Sequence, residues 1–92
     1  MNITLSQRAA PSSDVLFQEV GGEAVLLNLD SERYFGLDPV GTRIWSLLGE
    51  DSGLQHAHAT LCSEYDAPAA TLEADLLALV GQLAEAGLVT VS

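Results

Sequence analysis

Positive charge is scarce in this chain. Its 92 residues include 13 acidic side chains but only three arginines and no lysine, which gives a formal net charge of −10. Nucleic acids and anionic membranes are bound through Lys and Arg, so this composition argues against both kinds of partner. The simplest consequence of the charge is solubility, and a basic partner is the less certain alternative.

Cysteine, aromatic residues and long apolar runs are also scarce. Cys62 is the only cysteine, so no intramolecular disulfide can form. The first residues do not combine a charged segment with a long apolar run, as a signal peptide would. No apolar run approaches the roughly 20 residues of a membrane span. We therefore expect a cytoplasmic protein with no membrane segment.

Groups suited to catalysis or metal binding are few and poorly spaced. His56 and His58 are two residues apart, so on a helix they point in different directions and cannot chelate one metal ion by themselves. Cys62 falls on the apolar face of its helix, which indicates a structural thiol. Gly21-Gly22 is followed by neither a lysine nor a helix, unlike a phosphate-binding loop. We predict a protein that is not an enzyme and has no catalytic residue, metal or cofactor.

The stretch that organises the chain runs from Arg33 to Leu48. Residues Arg33–Leu37 (RYFGL) predict a strand, which leads directly into a helix over residues 39–48. Asp38 is placed to cap that helix, and Pro39 suits its first position. Apolar residues then recur at helical spacing along one face. This face comprises Val40, Ile44, Leu47 and Leu48.

The chain before this stretch predicts strands. Val15–Val20 alternates apolar and polar residues, and Gly21-Gly22 suits a hairpin turn to a return strand over residues 24–29. The unbroken apolar run 25–27 predicts that this return strand is central and buried on both faces. Arg33–Leu37 then becomes the third strand of an antiparallel meander, at the edge of the sheet.

The ends of the chain are harder to interpret. Residues 3–7 predict a further short strand and residues 9–13 a loop, so residues 1–13 form a loosely attached arm or an extra strand. After the organising helix, Gly49 predicts its end. Ser52 and Gln55 match a capping box that would start a second helix. Thr71 would cap a last helix over about residues 72–86, which Gly87 ends, and residues 88–91 then form a short final strand or an ordered tail.

These elements predict one domain, residues 1–92, of the α+β class. The arrangement is winged helix-turn-helix-like, with a three-stranded antiparallel sheet followed by three helices. The apolar arc of the last helix is wider than one packing face needs, because Leu77, Val80 and Ala84 lie beside the main stripe. That core stripe comprises Leu72, Leu76, Leu79, Leu83 and Ala86. Either another element covers this arc or it lines a groove. An extended peptide could add to the neighbouring edge strand, with that groove supplying pockets for its side chains.

Three stretches carry a resemblance to a known family. They are AVLLNLDSERYFGLDPVGTRIWSLL, LQHAHATLCSEY and LEADLLALVGQLAEAGLV. In order and spacing they resemble the family of pyrroloquinoline quinone biosynthesis protein D, which includes the recognition elements of ribosomally made, post-translationally modified peptides. Family members often have Asn at the position of Asp38, and Asp caps a helix equally well.

The resemblance implies a site and a function. Family members bind the leader segment of a precursor peptide as a strand beside the third strand, against the third helix. Carried over, the peptide-binding residues are Arg33, Tyr34, Phe35, Gly36, Leu37, Glu73, Leu76, Leu77, Val80 and Ala84. Small free-standing members serve lasso peptide biosynthesis, where they deliver the precursor to a separate leader peptidase and a cyclase.

Other functions remain open from the sequence. A sister adaptor would serve pyrroloquinoline quinone synthesis or the peptide pathway of a radical enzyme, and its partner enzyme would distinguish it. A winged-helix DNA-binding protein shares the fold, but the second and third helices lack the basic side chains of a recognition helix. A structural subunit or antitoxin-like partner would have no peptide groove.

Overall fold

The computed structural model describes residues 2–92. Three helices and two small antiparallel sheets make up the fold. In chain order the elements are β1 (Ala9–Pro11), β2 (Val15–Val20), β3 (Glu23–Asn28), β4 (Arg33–Leu37), α1 (Pro39–Glu50), α2 (Leu54–Glu64), α3 (Ala69–Glu85) and β5 (Val89–Val91). No helix within this described range is long and apolar enough to cross a membrane.

The main sheet has the strand order β2-β3-β4, as the sequence predicts. Gly21 and Gly22 form the first turn with φ of +63° and +86°, a conformation that glycine adopts without steric cost. The prediction that β3 is buried on both faces is wrong. Ala24 and Leu26 are buried, but Val25 between them is exposed, because the helices pack on only one face of the sheet.

The N-terminal segment differs from its prediction. Residues 3–7 form a turn and no strand, whereas the predicted loop 9–13 contains strand β1, which pairs antiparallel with β5. Both strands have three residues. The sequence predicts a final strand as one of two possibilities, but β1 does not stand out without its distant partner. Ala9 is fully buried, and Ile3 and Leu5 pack against the core.

The helix ends confirm some predicted caps and correct others. The Asp38 carboxylate accepts a hydrogen bond from the Gly41 backbone N–H at 2.6 Å. Gly49, however, lies inside α1, which continues to Glu50. The capping box is absent, since α2 begins after Gly53 with no side-chain cap, and Ser52 instead accepts a hydrogen bond from Arg8 Nε. Thr71 does not cap α3 but lies within it, because the helix starts at Ala69 and not at about residue 72.

The turn at Gly87 closes α3 and meets the sheet. Gly87 has φ of +73°, and a Cβ built on it would lie 3.0 Å from Asn28 Nδ2. That amide donates to the Ala86 carbonyl oxygen at 2.9 Å, while Asn28 Oδ1 accepts from the backbone N–H of Asp30 and Ser31. Asn28 thus joins the end of β3, the following turn and the C-terminal end of α3.

Candidate functional site

The candidate site is a cleft between the edge strand β4 and α3. Within residues 2–92, β4 pairs with β3 on one side and with no strand on the other. The cleft beside that open edge has a volume of about 530 Å³. It is lined by Phe35, Gly36, Leu37, Asp38, Val40, Gly41, Ile44, Asp75, Ala78, Leu79 and Gln82.

Tight packing between β4 and α1 forms one wall of the cleft. The strand passes into the helix through Asp38 alone, so α1 starts directly beside the open edge. Gly41 allows this approach, because a Cβ built on it would lie 3.1 Å from Asp38 Oδ1 and 3.3 Å from Leu37 Cδ2. Buried Ile44 and half-buried Val40 give the wall an apolar surface.

The strand residues predicted to bind peptide all lie on β4. Phe35, Gly36 and Leu37 line the cleft, and Leu37 is itself buried. Arg33 and Tyr34 precede them along the same edge and do not line the cleft. The register places Tyr34 beside Leu27 and Leu16, on the face of the sheet away from the helices, and Tyr34 is 74% exposed. Of the two strand aromatics, Phe35 is therefore the one that faces the cleft.

The predicted site residues of α3 lie in two different places. Leu76 and Val80 are fully buried in the core, so neither side chain is free to contact a peptide. At 100° per residue, Glu73, Leu77 and Ala84 lie roughly 60–100° to one side of this core-facing stripe. None of the three lines the cleft.

The opposite flank of α3 faces the cleft. It carries Asp75, Ala78, Leu79 and Gln82. The other flank is approached by the N-terminal segment, since a Cβ built on Gly81 would lie 3.9 Å from Ile3 Cδ1. Periodicity gave the width of the apolar arc but not its orientation, which depends on how α3 packs against the sheet. Of these four residues only Leu79 is large and apolar, and its helical spacing predicted a place in the core stripe instead of in the cleft.

Two of the three arginines form ion pairs outside the cleft. Arg8 lies 3.7 Å from Asp51, and Arg43 binds Glu64 through two hydrogen bonds of 2.8 and 2.6 Å. The hydrogen bonds with Glu64 raise the pKa of Arg43, and those with Arg43 lower the pKa of Glu64. This pair connects α1 to the end of α2, away from the cleft. Arg33 is thus the one arginine without an ion pair in the described part of the chain.

The histidines and the cysteine lie outside the cleft. His58 Nε2 is 2.9 Å from the Ala69 carbonyl oxygen and 3.5 Å from Cys62 Sγ, so it connects α2 to the start of α3. His56 is exposed. In residues 2–92, no three His, Cys, Asp or Glu side chains gather as a metal site would require.

These features define a class of protein: a small winged-helix-like α+β domain whose open edge strand lies beside a cleft lined by both apolar and polar residues. The chain belongs to the family of coenzyme PQQ synthesis protein D (PqqD), which matches residues 23–89. No curated protein matches the chain.

Two solved structures are similar to this chain. TbiB1 in complex with the TbiA(beta) leader peptide is 39% identical, with 87% of this chain and 93% of that chain covered and a TM-score of 0.82. A lasso peptide synthetase B1 complexed with its leader peptide has a TM-score of 0.80, with 90% of this chain and 98% of that chain covered. Its identity is 24%, so it supports the fold alone.

Proposed function

We propose that this protein binds the leader segment of a ribosomal precursor peptide and delivers it to the enzymes of a lasso peptide pathway. The observation that carries the proposal is the open edge of β4 beside a cleft that contains the apolar side chains of Phe35, Val40 and Leu79. The likeness to TbiB1, which is seen with a leader peptide, supports it. A sister pathway that makes a quinone cofactor or uses a radical enzyme is the alternative, and the partner enzyme distinguishes the two.

The peptide would bind by adding a strand to β4. The five residues of β4 span roughly 17 Å, so about five peptide residues would pair with them through main-chain hydrogen bonds. Alternate peptide side chains would enter the cleft and pack on Phe35, Val40 and Leu79. Arg33, Tyr34, Gly36 and Leu37 would contribute through the strand itself. Glu73, Leu77 and Ala84 are contacts only if the peptide also reaches the second flank of α3.

Delivery would work by raising local concentration. The adaptor would hold the precursor through its leader and would bind the peptidase or cyclase at the same time. The effective concentration of the precursor at the enzyme would then be set by the length of peptide between the leader and the site of reaction. The adaptor itself breaks no bond in this scheme. Its place would be the cytoplasm, where the precursor is synthesised.

The outer face of the main sheet is the proposed docking surface for the enzyme. The structure leaves large apolar side chains exposed there in adjacent cross-strand rows. They are Leu16 (54% exposed), Val20 (76%), Val25 (44%) and Tyr34 (74%). Exposed apolar patches of this kind mark interaction sites. The patch reaches the β4 edge through Tyr34, so an enzyme bound on it would lie beside the leader.

Charge favours an enzyme over a second copy as the occupant of this face. Two copies would bring together formal charges of −10 each, and Glu23 lies on the face itself. An enzyme surface with an apolar patch bordered by Lys and Arg would complement this face of the sheet. Duplex DNA is a poor candidate for this protein, because two of the three arginines are already held by Asp51 and Glu64.

Leader binding is tested first. Fluorescence anisotropy would follow a labelled synthetic leader from the precursor encoded beside this protein's gene. We expect saturable binding that unlabelled leader competes and the core peptide does not. Absence of binding up to high micromolar protein would overturn the proposal.

Enzyme docking is tested separately with the purified peptidase encoded in the same gene cluster. The variant Val25→Glu should bind leader as the unchanged protein does, because Val25 faces away from the cleft. Its binding to the peptidase, followed by calorimetry, should fall at least about tenfold, because a charge would be buried in an apolar contact. Ser46→Glu, on an exposed position of α1, is the matched control and should bind both partners normally. Equal peptidase binding by Val25→Glu and the control would contradict docking through this face.

A further inference from the structure

Opposite charges lie near the two ends of the path that a peptide strand beside β4 would follow. Arg33, the first residue of β4, forms no ion pair within residues 2–92. Asp75 lies on the α3 wall of the cleft and makes neither a hydrogen bond nor an ion pair among those described residues. Asp38 also borders the cleft, but its carboxylate is occupied as the α1 cap. Asp75 on the cleft wall and Arg33 beyond one end of the cleft are thus two charges available to a peptide on this path.

The packing of α3 separates these two charges. Asn28, which pairs with Arg33 across the sheet, donates to the Ala86 carbonyl at the C-terminal end of α3. Asp75 lies eleven residues earlier in the helix, which is about 16 Å along its axis. The C-terminal end of α3 therefore lies toward the Arg33 end of β4, and Asp75 lies toward the Leu37 end.

The register of β4 relates these charges to a peptide sequence. Arg33, Phe35 and Leu37 share one face of the strand, at the alternate spacing of side chains in a sheet. A strand added beside β4 would place its own residues i, i+2 and i+4 on that same face. The middle one would lie beside the apolar Phe35, and the outer two would lie toward Asp75 and Arg33.

We infer that the cleft selects leaders with a cationic residue toward Asp75 and an acidic residue toward Arg33, on either side of an apolar residue. The two charged residues are four apart, and their order in the peptide follows the direction of the added strand. The stem of a Lys or Arg would lie along Ala78 and Leu79 while its head meets the carboxylate. This inference rests on the proposed leader binding and adds the charge pattern of the ligand.

The test uses two charge-neutralising variants, Asp75→Asn and Arg33→Gln. Both side chains are exposed, so the fold should survive each change. Asp66→Asn, in the exposed loop between α2 and α3, is the control for the loss of one negative charge. Anisotropy with the labelled leader would be measured at about 50 mM and about 300 mM KCl, since salt screens such pairs.

We expect Asp75→Asn and Arg33→Gln each to weaken leader binding by roughly two- to fivefold at low salt, the range of exposed ion pairs. The double variant should also lose most of the salt dependence, while the control binds normally. A leader whose single cation on the cleft face is changed to Glu should bind Asp75→Lys more tightly than it binds the unchanged protein. Binding by both variants equal to that of the control at both salt concentrations would overturn the inference and leave leader binding standing. Failure of the unchanged protein to bind any leader would instead overturn the proposed function.

Discussion

Two adjacent residues of α3 should respond in opposite ways to truncation. Val80 is fully buried, and Leu79 is half-buried in the wall of the cleft. Val80→Ala removes two buried methylene equivalents, worth about 0.8 kcal/mol each, and leaves a small cavity. The expected loss in the free energy of unfolding is about 2–3 kcal/mol.

That loss is large for a chain of this size. A total stability of about 5–14 kcal/mol follows from the usual contribution per residue. At about 4–8 °C for each kcal/mol, Val80→Ala should lower the melting temperature by about 10–20 °C. Leader affinity of the folded protein should stay the same, because the side chain does not reach the cleft. Leu79→Ala should lower stability less, yet weaken leader binding by about fivefold, since a bound peptide would cover the rest of that side chain.

Thermal melting followed by circular dichroism and leader anisotropy at 25 °C would measure both effects. Leu77→Ala is the matched control, because Leu77 is also half-buried on α3 but lies on the flank away from the cleft. The family resemblance predicts a contact from Leu77, and the cleft predicts one from Leu79. If Leu77→Ala weakens leader binding and Leu79→Ala does not, the peptide lies on the other flank and the cleft is not the site. If Val80→Ala melts as the unchanged protein does, the assignment of Val80 to the core is refuted.

Three further predictions concern the supports of the site. Asn28→Ala should cost about 2–3 kcal/mol of stability in thermal melts, because it leaves the part-buried Ala86 carbonyl and two turn N–H groups without their partner. An unchanged melting temperature would contradict this role. Asp38→Ala should cost about 1 kcal/mol, whereas Asp38→Asn should keep the cap of Gly41 and melt nearly normally. Pairing with Arg43 lowers the pKa of Glu64 below its usual 4.5, so the stabilisation is present above that pH and is lost as pH falls through the lowered pKa. Melts of Glu64→Gln between about pH 3 and 6 should therefore show a smaller fall in stability on acidification than the unchanged protein, and parallel curves would exclude the effect.

Local chemistry in the sequence determined most of the backbone from Val15 onward. The bounds of β2 and β4 agree with the predicted ones, because alternation and the Gly21-Gly22 turn act over a few residues. The cap at Asp38 and the end of α3 at Gly87 were also confirmed, since both depend on the conformation of one residue and its close neighbours. The caps predicted at Ser52 and Thr71 are wrong. Both residue types are common at helix starts, but Ser52 does not cap α2 and Thr71 lies inside α3.

Tertiary packing decided the rest. The pairing of β1 with β5 joins segments some eighty residues apart, and neither segment carries a signal for the other. Val25 is exposed because the core lies on only one face of the sheet, whereas the apolar run in β3 predicted burial on both faces. The sequence by itself established a small acidic α+β domain with an open edge strand. Packing alone decided which flank of α3 faces that edge, and it places Leu79 in the cleft and Val80 in the core. The sequence could not decide this, because the apolar arc of the helix is wide enough for α3 to pack in more than one rotation about its axis.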